Sequence, residues 1–303
     1  MAKLLVMLSP PRSFSSLIST MIGQHPEIYG FPELHLMMRE RVAGTMRREQ
    51  RADKFLGPRG LLRALALLQF GADSAENVLE ANNWLQERMA WHGKDVLAHL
   101  MDLAEAKTGA TYCLEKSPPT AMYPQALRRL RRDWPDARYI HVTRHPVNLH
   151  KSLVEFISHL PRLTAAEKTL WLKKSVTLWP MVQRNILDFC ATLNPGQYLR
   201  IRGEDVLADA VPTMRMVAEW LGLRTDDAAI DAMLHPEDSP YARRGPFNAP
   251  DGNDPKFIAS PHFRPGPPRM GNLDDFFRGE HGRSMDAARR AYLRQIANCL
   301  GYQ

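Results

Sequence analysis

The stretch 3–22, KLLVMLSPPRSFSSLISTMI, constrains the fold more than any other part of the chain. Leu4-Leu5-Val6-Met7-Leu8 is an unbroken apolar run that stops in a Ser-Pro-Pro turn, the pattern of a strand covered on both faces of a parallel sheet. Beyond the turn, Leu17, Ile18, Met21 and Ile22 recur at helical spacing, which predicts a helix starting near Phe14 or Ser15. Strand, tight turn and helix N-terminus in succession bring free backbone N–H groups and the positive end of the helix dipole to one point. Arg12, Ser13, Ser15 and Ser16 add donors there, so the stretch predicts an anion site. An ordinary capped helix behind a surface arginine is the alternative this stretch alone leaves open.

With 303 residues, 44% of them hydrophobic and 24% charged, the chain can bury a sizeable core and is expected to form one α/β domain over 1–303 with a helical insertion. A formal charge of +7 suits an anionic ligand. Because Asp and Glu are scattered throughout, a basic pocket is expected rather than a nucleic-acid tail, and no basic stripe interleaved with aromatics is present. Cys113, Cys190 and Cys299 are too few and too widely spaced for a disulfide framework or a zinc site. No apolar run has the length of a membrane span and the start of the chain has no signal-peptide pattern, so the cytoplasm is the expected location.

The turn after the first strand has no glycine and no G-x-x-x-x-G-K-[ST] pattern, which argues against a magnesium-dependent ATPase or GTPase. Pro11-Arg12-Ser13-Phe14-Ser15-Ser16-Leu17 instead resembles the P-R-S-G-T-T loop of the sulfotransferases that use 3'-phosphoadenosine 5'-phosphosulfate (PAPS). Phe14 stands where glycine is usual, which requires either an ordinary backbone conformation at that residue or a strained one. In tyrosylprotein and related bacterial sulfotransferases the loop is followed by an H-P-[DE] turn and then an acidic general base. His25-Pro26-Glu27 and Phe31-Pro32-Glu33 resemble these, with His25 expected only to close the first helix. On the residues alone, the alternative for Glu33 is an N-cap or first-turn acid of a helix over 34–41, though its position beside the loop favours the catalytic role.

Residues 36–108 read as a helical insertion over the mouth of the sheet: basic at 39–51, apolar at 60–70, amphipathic at 75–90 and 94–107. The last piece is expected to bury Val96, Leu97, Leu100, Met101 and Leu103. The basic run is expected to be a solvated face, with reception of an acidic substrate or a carrier protein as the alternative. A second strand over 111–114 ends in Glu115-Lys116-Ser117-Pro118, setting Lys116 at the carboxyl edge of the sheet, where open α/β sheets bind ligands. This motif is similar to the [DE]-K-[ST]-P of bacterial sulfotransferases, whose lysine lies near the sulfuryl group. Segment 137–156, ARYIHVTRHPVNLHKSLVEF, reads as strand, Arg144-His145-Pro146 turn and helix. It resembles the family's R-[DHN]-P turn with a serine eight residues on; Arg144 and Ser152 would then grip the 3'-phosphate from two sides.

A long helix over 163–191 is expected to bury Trp171, Val176, Trp179 and Ile186, and a strand is expected over 197–201. Gly203-Glu204-Asp205-Val206 resembles the family's Y-E-D-L element, with Gly203 in place of the aromatic expected near the adenine. Residues 214–223 match the helix ending in L-G-L that follows it. The stretch 236–270, rich in proline and glycine, lacks periodicity and is expected to be a C-terminal lid. Its end, with Arg264 and Arg269, loosely resembles the R-x-G lid over the nucleotide, and 284–300 reads as a closing helix.

The resemblance covers nearly the whole chain and is nearest to bacterial small-molecule sulfotransferases and the sulfotransferase domains of modular polyketide synthases. It implies a mostly parallel central sheet flanked by helices, related to the P-loop nucleotide kinases. It also implies sulfuryl transfer from PAPS to a hydroxyl of a small-molecule, lipid-like or carrier-tethered acceptor, releasing adenosine 3',5'-bisphosphate. An acyl carrier protein is a partner it suggests; no metal is expected, since no metal-binding acid follows the loop. By the same resemblance Glu33 is the base, Arg12 the clamp on the phosphosulfate and Lys116 a second positive contact. Arg12, Ser13, Phe14, Ser15, Ser16, Arg144, Ser152, Arg264 and Arg269 would hold the donor. The alternatives are a phosphotransferase on the same fold and a non-catalytic nucleotide-binding module.

Overall fold

The computed structural model describes residues 1–46, 58–160, 163–267 and 270–302. Strand β1 (Lys3–Leu8) is buried from Leu4 onward. Its side chains alternate between two cores: Leu4, Val6 and Leu8 enter one, Leu5 and Met7 the other. Helix α1 (Ser15–Gly23) and strand β2 (Ile28–Gly30) follow. The crossover to the next strand carries α2 (Val42–Met46), α3 (Arg59–Leu68), α4 (Ala75–Gln86) and α5 (Gly93–Thr108). Then come β3 (Tyr112–Glu115), α6 (Pro119–Met122), α7 (Pro124–Asp133) and β4 (Arg138–Thr143). Helices α8 (Pro146–Ser158) and α9 (Ala165–Cys190) lead to β5 (Tyr198–Arg202). The chain closes with α10 (Gly203–Ala208), α11 (Ala210–Leu221), α12 (Asp227–Ala232), α13 (Pro255–Ala259), α14 (Leu273–Arg278) and α15 (Ala287–Cys299).

The five strands lie in the order β2-β3-β1-β4-β5, and all their pairings are parallel. Helices α3, α4, α5, α7 and α9 supply the core on one face, and α1, α10, α11 and α12 that on the other. The connection from β1 runs toward β2, whereas that from β3 crosses to β4 on the opposite side of β1. The chain therefore diverges above neighbouring strands, which opens a crevice at their carboxyl ends. Residues 9–14 and Lys116 both lie at that edge.

Three expectations are corrected. No helix forms over 34–41: His35 turns into the left-handed region at φ 56°, only a short 3-10 turn follows at Leu36–Met38, and Arg41 bridges to His92. A left-handed residue cannot propagate an α-helix, so Glu33 is not a first-turn acid. The strand read as second is the third, because β2 has only three residues and shows no periodicity. Trp171 is 48% exposed, since the core contacts of α9 begin at Ser175 and Val176, one turn further on; Val176, Trp179 and Ile186 are buried as expected. The basic run 39–51 lies partly outside the described residues.

The segment before α13 is tied down by an ion pair in the protein interior. Arg63 on α3 is fully buried and donates to Asp73 Oδ2 at 2.7 and 2.9 Å, to the carbonyl of Pro240 at 3.3 Å and to that of Asp251 at 3.4 Å. Its guanidinium also lies 5.7 Å from the ring centre of buried Tyr241. These contacts hold 240–252 against α3 and deliver the following residues to the sheet edge. Removing one partner of such a pair leaves a buried charge uncompensated. Arg63→Leu is therefore expected to cost about 3–5 kcal/mol in urea denaturation, and the double variant with Asp73→Leu to recover most of that loss.

Candidate active site

The loop after β1 stores backbone strain. Among the described residues, the non-glycines at positive φ are Arg12 (69°), Phe14 (60°) and His35 (56°), and all three border the crevice. Each costs on the order of 1–3 kcal/mol and persists only where the surroundings enforce it. Position 14 is thus the strained case of the two allowed by its sequence. Phe14 is the N-cap of α1 without a side-chain cap, which leaves the first amides of the helix directed at the crevice.

Lys116, at the end of β3, is fully buried, and its Nζ donates to Ser16 Oγ at 2.8 Å, Glu33 Oε1 at 2.5 Å and Asn253 Oδ1 at 3.1 Å. Glu33 reaches it because the Phe31 amide extends the β2–β3 ladder to the Leu114 carbonyl at 2.9 Å, and the Glu33 amide donates to the Gly252 carbonyl at 2.7 Å. The second carboxylate oxygen of Glu33 lies 3.5 Å from His35 Nε2. The His35 amide in turn donates to Ser117 Oγ at 3.0 Å, and the Ser117 hydroxyl donates to Glu115 Oε1.

Two cavities open on this cluster. The larger, of about 230 Å³, is lined by Arg12, Phe14, Ser16, Arg144, Ser152 and Asp254, with α13 on its rim. Arg12 ion-pairs with Asp254 and directs Nε toward Ser152 Oγ at 3.4 Å. Arg144 donates through Nη1 to the Arg12 carbonyl, while its buried Nε has no partner among the described residues. Burial pulls the Arg144 pKa down to about 10, so it stays cationic at neutral pH. Its turn is fixed by the His145 amide donating to Glu204 Oε1 at 2.7 Å and by Trp179 Nε1 donating to the Arg144 carbonyl at 2.8 Å. The smaller cavity, about 60 Å³, is lined by Glu33, His35, Arg59, Asp251 and Asn253. Ser16 faces the larger cavity, Glu33 the smaller, and the Lys116 ammonium bridges them.

The structure thus gathers Arg12, Phe14, Ser16, Arg144 and Ser152 around one cavity, puts Glu33 in the other and sets Lys116 between them. Ser13 and Ser15 are buried in the loop and line neither, and Arg264 is exposed outside both. Arg269 lies outside the described residues. His25 has the structural role expected, its ring bonded to the Arg224 carbonyl at 2.9 Å and the Glu27 amide at 3.2 Å. Asn253, Asp254 and Arg59 escaped the sequence reading. The one local signal was the polar run Asp251-Gly252-Asn253-Asp254 inside an otherwise irregular stretch. Among the described residues no group of three or more His, Cys, Asp or Glu side chains could hold a metal ion.

A parallel sheet of this order, with a strained loop carrying Arg12 after β1 and a buried lysine after β3, defines the class of protein. The model of the sulfotransferase family matches residues 5–227, and the chain belongs to that family. The sulfotransferase domain of the Synechococcus PCC 7002 olefin synthase superposes with a TM-score of 0.72 at 25% identity, covering 99% of this chain and 94% of that domain. The sulfotransferase domain from the curacin biosynthetic pathway gives 0.69 at 19% identity, covering 100% and 99%. Mouse sulfotransferase SULT7A1 complexed with PAP gives 0.53 at 13% identity, covering 99% and 88%. Comparison with curated protein sequences returns no match.

Beneath the site, burial pushes the Glu115 carboxyl up to about 7, and its Oε2 has no partner among the described residues. Between the ordinary carboxyl range and that value, the folded chain holds a proton that the unfolded chain releases. This contribution to stability is present at low pH and is lost as pH rises toward about 7. Glu115→Gln is expected to flatten that part of the pH–stability profile, as read by thermal unfolding between pH 5 and 8.

Proposed function

We propose that the protein transfers the sulfuryl group of PAPS to a hydroxyl of a small-molecule or carrier-tethered acceptor. The observation that carries this reading is the bonded chain Ser16 Oγ–Lys116 Nζ–Glu33 Oε1, which joins a cationic cavity to a second one holding a carboxylate. The larger cavity suits a phosphorylated donor: two arginines face it, Arg144 Nε lacks a partner among the described residues, and the N-terminus of α1 opens onto it. The PAP bound to SULT7A1 supports PAPS as donor. The olefin synthase and curacin neighbours support a tethered acceptor and an acyl carrier protein as partner.

PAPS supplies an activated sulfur bonded to a bridging phosphate oxygen; the chain's residues do the rest. Glu33 takes the proton of the acceptor hydroxyl as its oxygen bonds to sulfur and the bridging bond breaks. A positioned base of this kind is worth about 10²–10⁴-fold. Arg12 and Lys116 hold positive charge where the departing oxygen becomes anionic, and Arg12, always protonated, serves as clamp and not as acid. Arg144 and Ser152 grip the 3'-phosphate. Asp254, Lys256, Phe257, Ser260 and His262 line the donor cavity, so 254–262, within the stretch read as a lid, would act as its cover. No helix among the described residues is long and apolar enough to cross a membrane.

Turnover of PAPS against a panel of alcohols and hydroxyacyl carriers, with sulfated products read by mass spectrometry, tests the reading. Turnover of ATP with magnesium and no response to PAPS would overturn it. Glu33→Gln is expected to lower kcat by about 10²-fold or more while the affinity for adenosine 3',5'-bisphosphate survives. Near-wild-type turnover with chemistry rate-limiting would move the base to neighbouring His35. Arg144→Ala is expected to weaken adenosine 3',5'-bisphosphate by about ten- to a hundredfold and adenosine 5'-phosphate far less, by calorimetry. Equal losses for the two would give Arg144 another role.

A further inference from the structure

The two positions at which the sequence departs from the family pattern, Phe14 and Gly203, meet in space. A Cβ on Gly203 would lie 2.7 Å from Phe14 Cδ2, 3.5 Å from Phe14 Cε2 and 3.2 Å from the Thr143 carbonyl oxygen. Real Cβ contacts do not reach the first distance, so the Phe14 ring occupies the space that a side chain at 203 would need. Gly203 has an ordinary backbone conformation, since it is not among the positive-φ glycines. Its requirement for glycine is therefore steric, imposed by the ring. The opposite holds at residue 14, where the left-handed backbone at φ 60° favours glycine and a phenylalanine is nevertheless retained.

The ring has a partner that accounts for its retention. The Arg144 guanidinium lies 3.9 Å from the Phe14 ring centre, well inside cation–π range, and both residues line the donor cavity. Arg144 is otherwise tethered only loosely: Nη1 donates to the Arg12 carbonyl, and Nε is buried with no partner among the described residues. An arginine has several side-chain torsions to restrain, and one hydrogen bond leaves its plane undefined; an aromatic face defines it.

We infer that Phe14 is a positioning residue for donor recognition. Its ring forms a platform that holds the Arg144 guanidinium in the cavity, and Gly203 is the glycine that makes room for it. The inference rests on the reading of this cavity as the PAPS site and adds how its selectivity for a 3'-phosphate is built. The left-handed strain at residue 14 is the cost of placing an aromatic ring beneath the arginine.

Calorimetric titration of the full chain with adenosine 3',5'-bisphosphate and adenosine 5'-phosphate tests it. Phe14→Leu keeps an apolar side chain and removes the π face. The preference for the bisphosphate is expected to fall by about three- to tenfold, the bisphosphate losing more affinity than the monophosphate. Phe14→Tyr is expected to retain the preference, and Phe14→Leu is expected to add no further loss in the Arg144→Ala background. Gly203→Ala should reproduce the loss by displacing the ring while residue 14 stays phenylalanine. Its urea midpoint should drop far less when combined with Phe14→Gly than alone, which checks the packing with no ligand present. A full preference retained in Phe14→Leu, or equal losses for both nucleotides, overturns this inference alone. A wild type that binds the bisphosphate without preference overturns the donor-site reading, and this one with it.

Discussion

Everything at the sheet edge depends on one ammonium group withdrawn from water. Burying a lysine is expensive unless each of its donors is accepted, and Lys116 has three N–H groups and three acceptors. Those acceptors come from α1, from the residues after β2 and from the return segment before α13, while the lysine itself ends β3. A single charge therefore fixes four stretches of chain to one point. Losing any acceptor would leave the ammonium undersatisfied where water cannot reach it, so the arrangement is held cooperatively.

That over-determination explains where the strain sits. Arg12, Phe14 and His35 hold left-handed conformations a free chain would abandon; Arg12 is held by Arg144 at its carbonyl and by Asp254 at its side chain, and His35 by the Ser117 hydroxyl at its amide. The return segment needs its own anchor, because it comes from far along the chain with no regular structure to carry it. Arg63, with Asp73, Tyr241 and the carbonyls of Pro240 and Asp251, supplies that anchor on the face of α3. Glycines at 245 and 252 keep the approach open: a Cβ at 245 would stand 2.6 Å from Arg63 Nε, and residue 252 sits at φ 147°, where a Cβ would stand 3.2 Å from Gly60 Cα.

Much of this was legible beforehand, and for local reasons. β1 and β4 announce themselves as apolar runs ending in proline turns, and the helices after them by their spacing. Arg12, Ser16, Arg144, Ser152, Lys116 and Glu33 stand in short motifs, each directly after a strand, that resemble those of the sulfotransferases. Trp171 misled because burial depends on which neighbour covers a helical turn, and the buried positions of α9 begin only at Ser175. The supposed helix at 34–41 failed because the backbone at His35 answers to the Ser117 hydroxyl, eighty-two residues away, rather than to helical propensity.

By itself, then, the sequence determined the α/β class and the strand–turn–helix unit at 3–22, since these follow from periodicity, while most side chains around the crevice were singled out by the motifs that resemble those of the sulfotransferases. Only the tertiary structure decided that Asn253 and Asp254 belong to the site, that Lys116 joins two cavities, and that Phe14 and Gly203 answer one another. The reason is physical: those relations are contacts between residues 83 to 242 positions apart, closed by packing and charge burial, and no local pattern encodes a distance that only the folded chain creates.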